Sequence, residues 1–350
     1  MTSSGHAQRK PGVDFVRAIS CLGIVAGHLY TLGGYLFAEE GLFKQIISSF
    51  AALTVVFIVL SGFGITSGYL QKLQGCAIDL EGFYFRRYKK IWPFFFITTI
   101  IGVVFERSVQ GIEEGIMELT LLYGFLPNNC NSFSVNGVCW TLGTIFAFYI
   151  LYPYISVFLK NRHRAWAALM CSIVVMFLSE HLFLTESFVR TPYLNRSNVL
   201  FSLPFFLSGC ILSIYQNEIA AFVKQKKLIC TAACALLTCL LLFSQNEFQN
   251  VRLADYKYWA LGALWVSYTL GMDGRFFTNK VICIISKYSM EIYLSHMIIR
   301  KALGYLHLSR RIGDNLLTFV GELFILMCGT LLFAKIVDMF LNVMYKRIKQ

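Results

Sequence analysis

Val13-Asp14-Phe15-Val16-Arg17-Ala18-Ile19-Ser20-Cys21-Leu22-Gly23-Ile24-Val25-Ala26-Gly27-His28 decides how the rest of the chain is read. With the residues up to 37 it is long enough to cross a bilayer, yet it carries a carboxylate, a guanidinium and an imidazole. Arg17 and His28 stand eleven positions apart. That is close to three helical turns, so the two share one face about 16 Å apart. Asp14 lies one turn before Arg17 and can pair with it. Ionisable groups are expensive inside a bilayer and face protein or water there. A histidine at that depth is a candidate proton carrier.

The whole chain has the same character. Its 350 residues are 57% hydrophobic and 14% charged, where a soluble domain carries about 25% charged residues. Mean hydropathy is +0.61. Apolar runs at about 13–37, 45–70, 91–105, 134–159, 165–184, 198–215, 228–244, 257–272, 281–299 and 315–341 predict an all-α, polytopic bundle of about ten spans. We read 1–350 as a single integral-membrane domain with a short cytoplasmic tail, 1–12, and no cleavable signal peptide. The net charge of +12 does not indicate nucleic acid, because the cations cluster between the apolar runs. Most of the eleven cysteines lie within those runs, where they act as small hydrophobes. No metal spacing is present, so no metal is expected. Cys130 and Cys139 flank an outer loop and are a candidate disulfide.

Arg9-Lys10, Arg86 to Lys90, Lys160 to Arg164, Lys224 to Lys227 and Lys346 to Lys349 fall on one side if both termini are cytoplasmic. Residues 112–125 are apolar but too short to span, and are placed as a re-entrant or interfacial helix on the outer side. Arg300, Lys301, Arg310 and Arg311 fall in an outer loop, as an anion-attracting patch or as a solvated loop. Gly23/Gly27 and Gly64/Gly68 form GxxxG pairs that allow close helix approach. Gly62 to Gly68 lacks the strand–turn–helix setting of a nucleotide loop. Asn195-Arg196-Ser197 is a formal glycosylation sequon.

A second cluster precedes the third span. Gly82-Phe83-Tyr84-Phe85-Arg86-Arg87-Tyr88-Lys89-Lys90-Ile91-Trp92-Pro93 reads as a loop with four cations among aromatic rings. It serves either as cytoplasmic anchoring or as a phosphate site, with Arg giving bidentate contacts and Lys point charge. Together with Asp14…Arg17…His28, Phe57 to Phe63, Trp140-Thr141-Leu142, Tyr149 to Pro153 and Tyr288-Ser289-Met290-Glu291-Ile292-Tyr293-Leu294-Ser295-His296, these residues resemble, in order, the signatures of the membrane acyltransferase-3 family. The resemblance implies integral-membrane O-acyltransferases of cell-surface glycans, about ten core helices and a bacterial inner membrane. It implies an essential histidine at His28, acyl-CoA (acetyl-CoA by family habit) held by Arg86, Arg87 and Lys90, and Arg17 as a donor-side or structural residue. Lys90 departs from the usual Arg. Ile145 or Phe146 stands where many members carry a Glu.

The residues alone support a compatible chemistry. His28 lies roughly 22 Å into a hydrocarbon core about 30 Å thick. A nucleotide held by Arg86, Arg87, Lys89 and Lys90 would feed its thioester along the first span. His28 would act as general base on an acceptor hydroxyl, or form a transient acyl-histidine. Asp14 would hold Arg17. His296 is a cavity residue or a bridge between helices. Glu291 is a functional group or an ion-pair partner. Trp140 is a binding wall or part of an interfacial belt. The expected partners are membrane lipid and an extracytoplasmic glycan or glycolipid acceptor, with homo-oligomers left open. A polytopic transporter or lipid-linked sugar flippase is the alternative reading, although inverted repeats with broken helices are not evident. A glycan polymerase is a third.

Overall fold

The computed structural model describes residues 10–37, 41–127, 135–185, 187–189, 194–243, 251–272, 274, 277–305 and 311–348. Among these there is no strand. The chain runs through α1 (Pro11–Leu32), α2 (Leu42–Ser49), a 3₁₀ turn (Phe50–Leu53), α3 (Thr54–Gln74), α4 (Leu80–Glu106), α5 (Val109–Leu119), α6 (Cys139–Phe158) and α7 (Arg162–Leu178). It continues through α8 (Val199–Ile214), α9 (Gln216–Gln225), α10 (Lys227–Phe243), α11 (Val251–Leu270), α12 (Lys280–Lys287), α13 (Ser289–Gly304) and α14 (Leu316–Ile348). Residue 130 lies outside the described residues, and with it the Cys130–Cys139 pairing.

Among the described residues six helical units are long and apolar enough to cross a membrane: Pro11–Leu32, Leu42–Gln74, Leu80–Glu106, Cys139–Phe158, Arg162–Phe183 and Leu316–Arg347. The pair α8 and α9, bent by 70°, would make a seventh. The count of about ten is therefore not confirmed. The reason is local. α10 has only 17 residues, and the apolar run at 281–299 is divided at Tyr288 into α12 and α13. α5, with 11 residues, is about 16 Å long and too short to cross. It is pinned where the Asn136 N–H donates to Glu118 Oε1 (3.2 Å) and the Asn136 side chain donates to the Leu294 carbonyl (3.3 Å). Burial pushes the Glu118 carboxyl up to about 7, against the opposing Asn136 hydrogen bond.

Burial sorts the spans. Within the bundle lie 56% of the α1 window and 61% of the Leu42–Gln74 window, against 28% for Arg162–Phe183 and 33% for Leu316–Arg347. The first two are thus the centre and the last two the rim. α1 is packed against the 3₁₀ turn, α11, α12 and α13, with Cys21, Ile24, Val25 and Leu29 fully buried.

Small residues permit this closeness at particular points. A Cβ on Gly27 would stand 2.9 Å from the Ile47 carbonyl oxygen, so the Gly23/Gly27 pair acts as its spacing suggests. Gly64 and Gly68 do not; each faces open space. The close crossing of α3 is made instead by Gly62, whose Cβ would meet the Phe206 carbonyl at 2.0 Å. Gly209 on α8 meets Val59 reciprocally at 1.9 Å. The obstructing atoms are backbone and cannot swing aside. Gly209→Ala should therefore lower the melting temperature in detergent by an amount matching about 1–3 kcal/mol or more, and Gly68→Ala should leave it unchanged or slightly raised. Equal melting of both variants would contradict the crossing.

Candidate active site

The four-cation segment is helical rather than a loop. Asp79 caps α4 by accepting from the Gly82 N–H at 2.9 Å, so Arg86 to Lys90 occupy its opening turns. The helix then separates them. Arg87, half-buried, and Lys90, exposed, stand three apart and line a cavity of about 600 Å³. Arg86 and Lys89 are not among its lining residues; Arg86 is exposed, and Lys89 Nζ lies 5.2 Å from the Tyr345 ring. Arg87 is held by the Tyr69 hydroxyl at 2.5 Å and lies over the Tyr69 and Tyr149 rings.

The cavity runs between α1, α3, α4, α6, α12 and α13 and is of ligand-binding size. Five cations line it, Lys10, Arg17, Arg87, Lys90 and Lys287, with two carboxylates, Asp14 and Glu291. Asp14 is buried and accepts from Arg17 (2.9 Å), as the spacing predicts, and from Ser286 Oγ (2.8 Å). Ser286 escaped the sequence reading because nothing local marks it. Glu291 lies in the field of Lys90 and Lys287, and its Oε2 has no partner among the described residues. Ile145, where a carboxylate was looked for, gives the cavity an apolar wall, and Phe146 packs edge-on against Tyr88 at 4.7 Å.

The inner wall of the cavity is formed by Thr141 and Tyr293, whose hydroxyls are 2.8 Å apart. Immediately beyond lie the histidines. His28 is not among the lining residues. Its Nδ1 is 2.8 Å from His296 Nε2, the rings being parallel within 2°. His296 is fully buried, with Nδ1 2.6 Å from the Tyr293 carbonyl oxygen. A carbonyl only accepts, so His296 Nδ1 carries a proton. With both rings neutral, His296 offers its Nε2 lone pair to His28 Nδ1–H. His28 Nε2 is left as the bare nitrogen, with no hydrogen-bond partner among the described residues. In that neutral state His28 Nε2 is the nitrogen open to a proton. His296 is a helix bridge, and the bridge is to His28 itself.

Arg196 was missed by the sequence reading as a functional residue. It forms a buried ion pair with Asp255 (2.7 Å), lies 5.7 Å from the Trp140 ring, and is within electrostatic range of His28, as is Arg300. The signal was a lone cation bordering an apolar span, hidden in a sequon that the fold buries. Trp140 is 6% exposed and so is part of the interior rather than an interfacial belt. Arg300 donates to the Leu32 carbonyl at 2.8 Å, and Lys301 pairs with Glu106 at 3.3 Å, so both have partners within the bundle. Residue 310 lies outside the described residues. No group of histidine, cysteine and acidic side chains suited to a metal occurs among the described residues.

The acyltransferase domain family matches residues 10–339, and the chain belongs to that family. It is 28% identical over 222 residues to an uncharacterized protein of Haemophilus influenzae, 57% of this chain and 88% of that one. It is 23% identical over 318 residues to the O-acetyltransferase OatA of Staphylococcus aureus, 82% of this chain and 50% of that protein. It is 26% identical over 197 residues to "Putative peptidoglycan O-acetyltransferase YrhL" of Bacillus subtilis, 49% of this chain and 28% of that protein. The chain thus spans about half the length of OatA and less of YrhL. No solved structure matches it. Family and apolar helices together define an integral-membrane acyltransferase.

The tautomers are open to measurement, since the chain has only six histidines. Nitrogen-15 spectra of histidine-labelled protein should show His28, assigned by its loss in His28→Gln, with a protonated Nδ1 and a bare Nε2. A proton on Nε2 of His28 would remove the base that the hydrogen bonds assign.

Proposed function

We propose that the chain transfers an acyl group, acetyl by analogy with the relatives' names, from cytosolic acyl-CoA to a hydroxyl of an extracytoplasmic cell-wall glycan or glycolipid. The observation that carries this reading is the hydrogen-bonded histidine pair, His296 packing behind Tyr293 on the wall of a cation-lined cavity. Arg87, Lys90, Arg17, Lys10 and Lys287 supply charge for the donor's phosphates. Arg87 is held in place by Tyr69, and Arg17 by Asp14. The thioester end, which is uncharged, would pass Thr141 and Tyr293 to reach His28. We place both termini in the cytoplasm of a bacterial cell, with the cavity mouth at Lys10 facing the cytosol.

The reaction balances without a metal. His28 Nε2 takes the proton of the acceptor hydroxyl as its oxygen attacks the thioester carbonyl carbon. The tetrahedral anion collapses, the C–S bond breaks, and the departing CoA sulfur takes the proton from His28. His296 accepts the His28 Nδ1–H throughout, which fixes the ring and supports it when charged. The Arg196 guanidinium, in range of His28, suits the negative charge that develops on the carbonyl oxygen.

Purified protein given radiolabelled acetyl-CoA together with a cell-wall glycan as acceptor should release free CoA. Folded His28→Ala should lose at least about 100-fold of that rate. Arg87→Ala should weaken donor binding about tenfold, the loss of one charged contact, while Arg86→Ala should change it by no more than about twofold. If unaltered protein neither binds nor cleaves acetyl-CoA, the donor reading fails. Equal effects at Arg86 and Arg87 would reject the cavity as the place where the donor binds.

A further inference from the structure

α5 is turned the opposite way from an ordinary amphipathic helix. Val109, Ile112 and Ile116 are all exposed, and its three buried residues are Gly111, Gly115 and Glu118. Those three stand at i, i+4 and i+7, so they form one stripe. A Cβ on Gly115 would lie 2.5 Å from Val103 Cγ2, and a Cβ on Gly111 3.0 Å from Glu106 Cβ. α5 therefore folds back along α4 at close range. Trp92 on α4 extends the seam, its indole N–H donating to the Leu119 carbonyl at 3.1 Å. The one long side chain on the inward stripe is thus a carboxyl, and it is 0% exposed.

The surroundings do not suit a charge. Glu118 Oε1 accepts from the Asn136 N–H at 3.2 Å. Oε2 has no hydrogen-bond partner among the described residues, and neither do the buried Asn136 Oδ1 and Thr99 Oγ1. The titratable groups facing the carboxyl are Glu114 on α5 itself, Cys139 at the start of α6 and Tyr123 of the 3₁₀ turn Leu122–Phe125, with the Thr99 hydroxyl from α4. None of these is a cation, and Glu114, one turn away, is a like charge. The Tyr123 hydroxyl is committed to the Cys139 carbonyl at 2.8 Å. A carboxylate here would be a buried charge without a counter-ion. A proton removes that charge and supplies an O–H donor that the neighbouring oxygens can share. Burial accordingly pushes the group up to about 7.

Asn136 carries the contact inward. Its side chain donates to the Leu294 carbonyl at 3.3 Å, on α13 and two residues before His296. Glu118 and Asn136 therefore link α5 to the helix that holds His296.

We propose that Glu118 carries a proton while α5 is docked, that loss of this proton frees α5 from α4, and that Asn136 passes the change to α13, which makes Glu118 a positioning residue for His296. Its consequence for catalysis rests on the acyl-transfer reading above; the docking of α5 does not. An acid that holds its proton more tightly when docked than when free favours docking at low pH. That contribution is complete below the ordinary value of 4.5, shrinks above it, and is lost as the pH rises through about 7.

The test is hydrogen–deuterium exchange on the full chain in detergent, without acyl-CoA, corrected for the intrinsic pH dependence of amide exchange. Protection of residues 109–119 should fall by roughly fiftyfold between pH 5 and pH 8, and residues 294–298 should lose protection over the same window. Glu118→Gln, an uncharged isostere, should hold both constant to within about twofold. Asn136→Ala keeps the backbone N–H, so it should preserve the pH dependence at 109–119 and remove it at 294–298. The first readout needs no variant and stands even if Glu118→Gln does not fold. Protection at 109–119 that ignores pH in the wild-type protein, or an unchanged pH dependence in folded Glu118→Gln, would overturn the proposal. Protection at 294–298 that does not follow would overturn the link through Asn136. The predicted exchange in a protein that ignores acetyl-CoA would sink the acyl-transfer reading and leave this one standing. CoA release by a protein whose α5 ignores pH would do the reverse.

Discussion

A single lateral register ties the first helix to the last third of the chain. Cys21 Sγ donates to the Ser289 carbonyl, His28 meets His296, and Arg300 caps the Leu32 carbonyl, each pair separated by 268 positions. A constant offset means that α1 and α13 run parallel and in step. One heptad on α1, from Cys21 to His28, faces one heptad on α13, from Ser289 to His296. Below the break at Tyr288, α12 continues the seam through Asp14 and Ser286. In a bilayer interior no water stands ready to satisfy a stranded polar group, so these contacts are obligatory partners. Moving one helix by a residue relative to the other would strand all of them together.

That register explains why part of the site was legible in the sequence and part was not. The stripe of Asp14, Arg17 and His28 follows from helical periodicity within one segment, and the structure keeps it, including the Asp14–Arg17 pair. The partners Ser286 and His296 depend on a pairing across most of the chain, which no local pattern encodes. His296 was visible as a buried histidine, but not as the residue that sets the tautomer of His28. The cations before Pro93 show the opposite failing. Read as a loop, all four appear equivalent. Read as the start of a capped helix, Asp79 onward, the three-residue spacing of Arg87 and Lys90 already separates them from Arg86 and Lys89. The glycines carry a similar lesson. GxxxG spacing picked out Gly27 correctly and Gly64/Gly68 wrongly, because close approach needs a facing partner. Gly62 has one in Gly209, and Gly68 has none.

The span count was less legible for a physical reason. Hydropathy reports which residues avoid water, and the interior of a helical bundle avoids water as well as lipid does. The apolar runs at 257–272 and 281–299 are mostly interior. They have no need to be uninterrupted spans, and the second is broken at Tyr288 where it lines the cation-lined cavity. Breaks of this kind are tolerated in membranes only where protein or a cavity covers the backbone.

The distribution of charge along α1 fits the proposed chemistry better than it fits a stable scaffold. Cations gather around the first two turns, the middle of the helix carries only a hydrogen-bonded histidine pair, and Arg196 and Arg300 lie within electrostatic range of that pair. A donor with phosphates at one end and a thioester at the other matches this order. Its charges stay where cations and water are, and only an uncharged acyl group enters the low-dielectric centre. In the proposed reaction the base must also be neutral before it works, its Nδ1 held by His296 and His296 held in turn by the Tyr293 carbonyl. Stability alone would favour apolar side chains in place of the two imidazoles and the buried Arg196–Asp255 pair, since buried polar and ionic groups often stabilise less than well-packed hydrophobes. Grouped around one histidine pair, they are the groups that the proposed proton transfer would use.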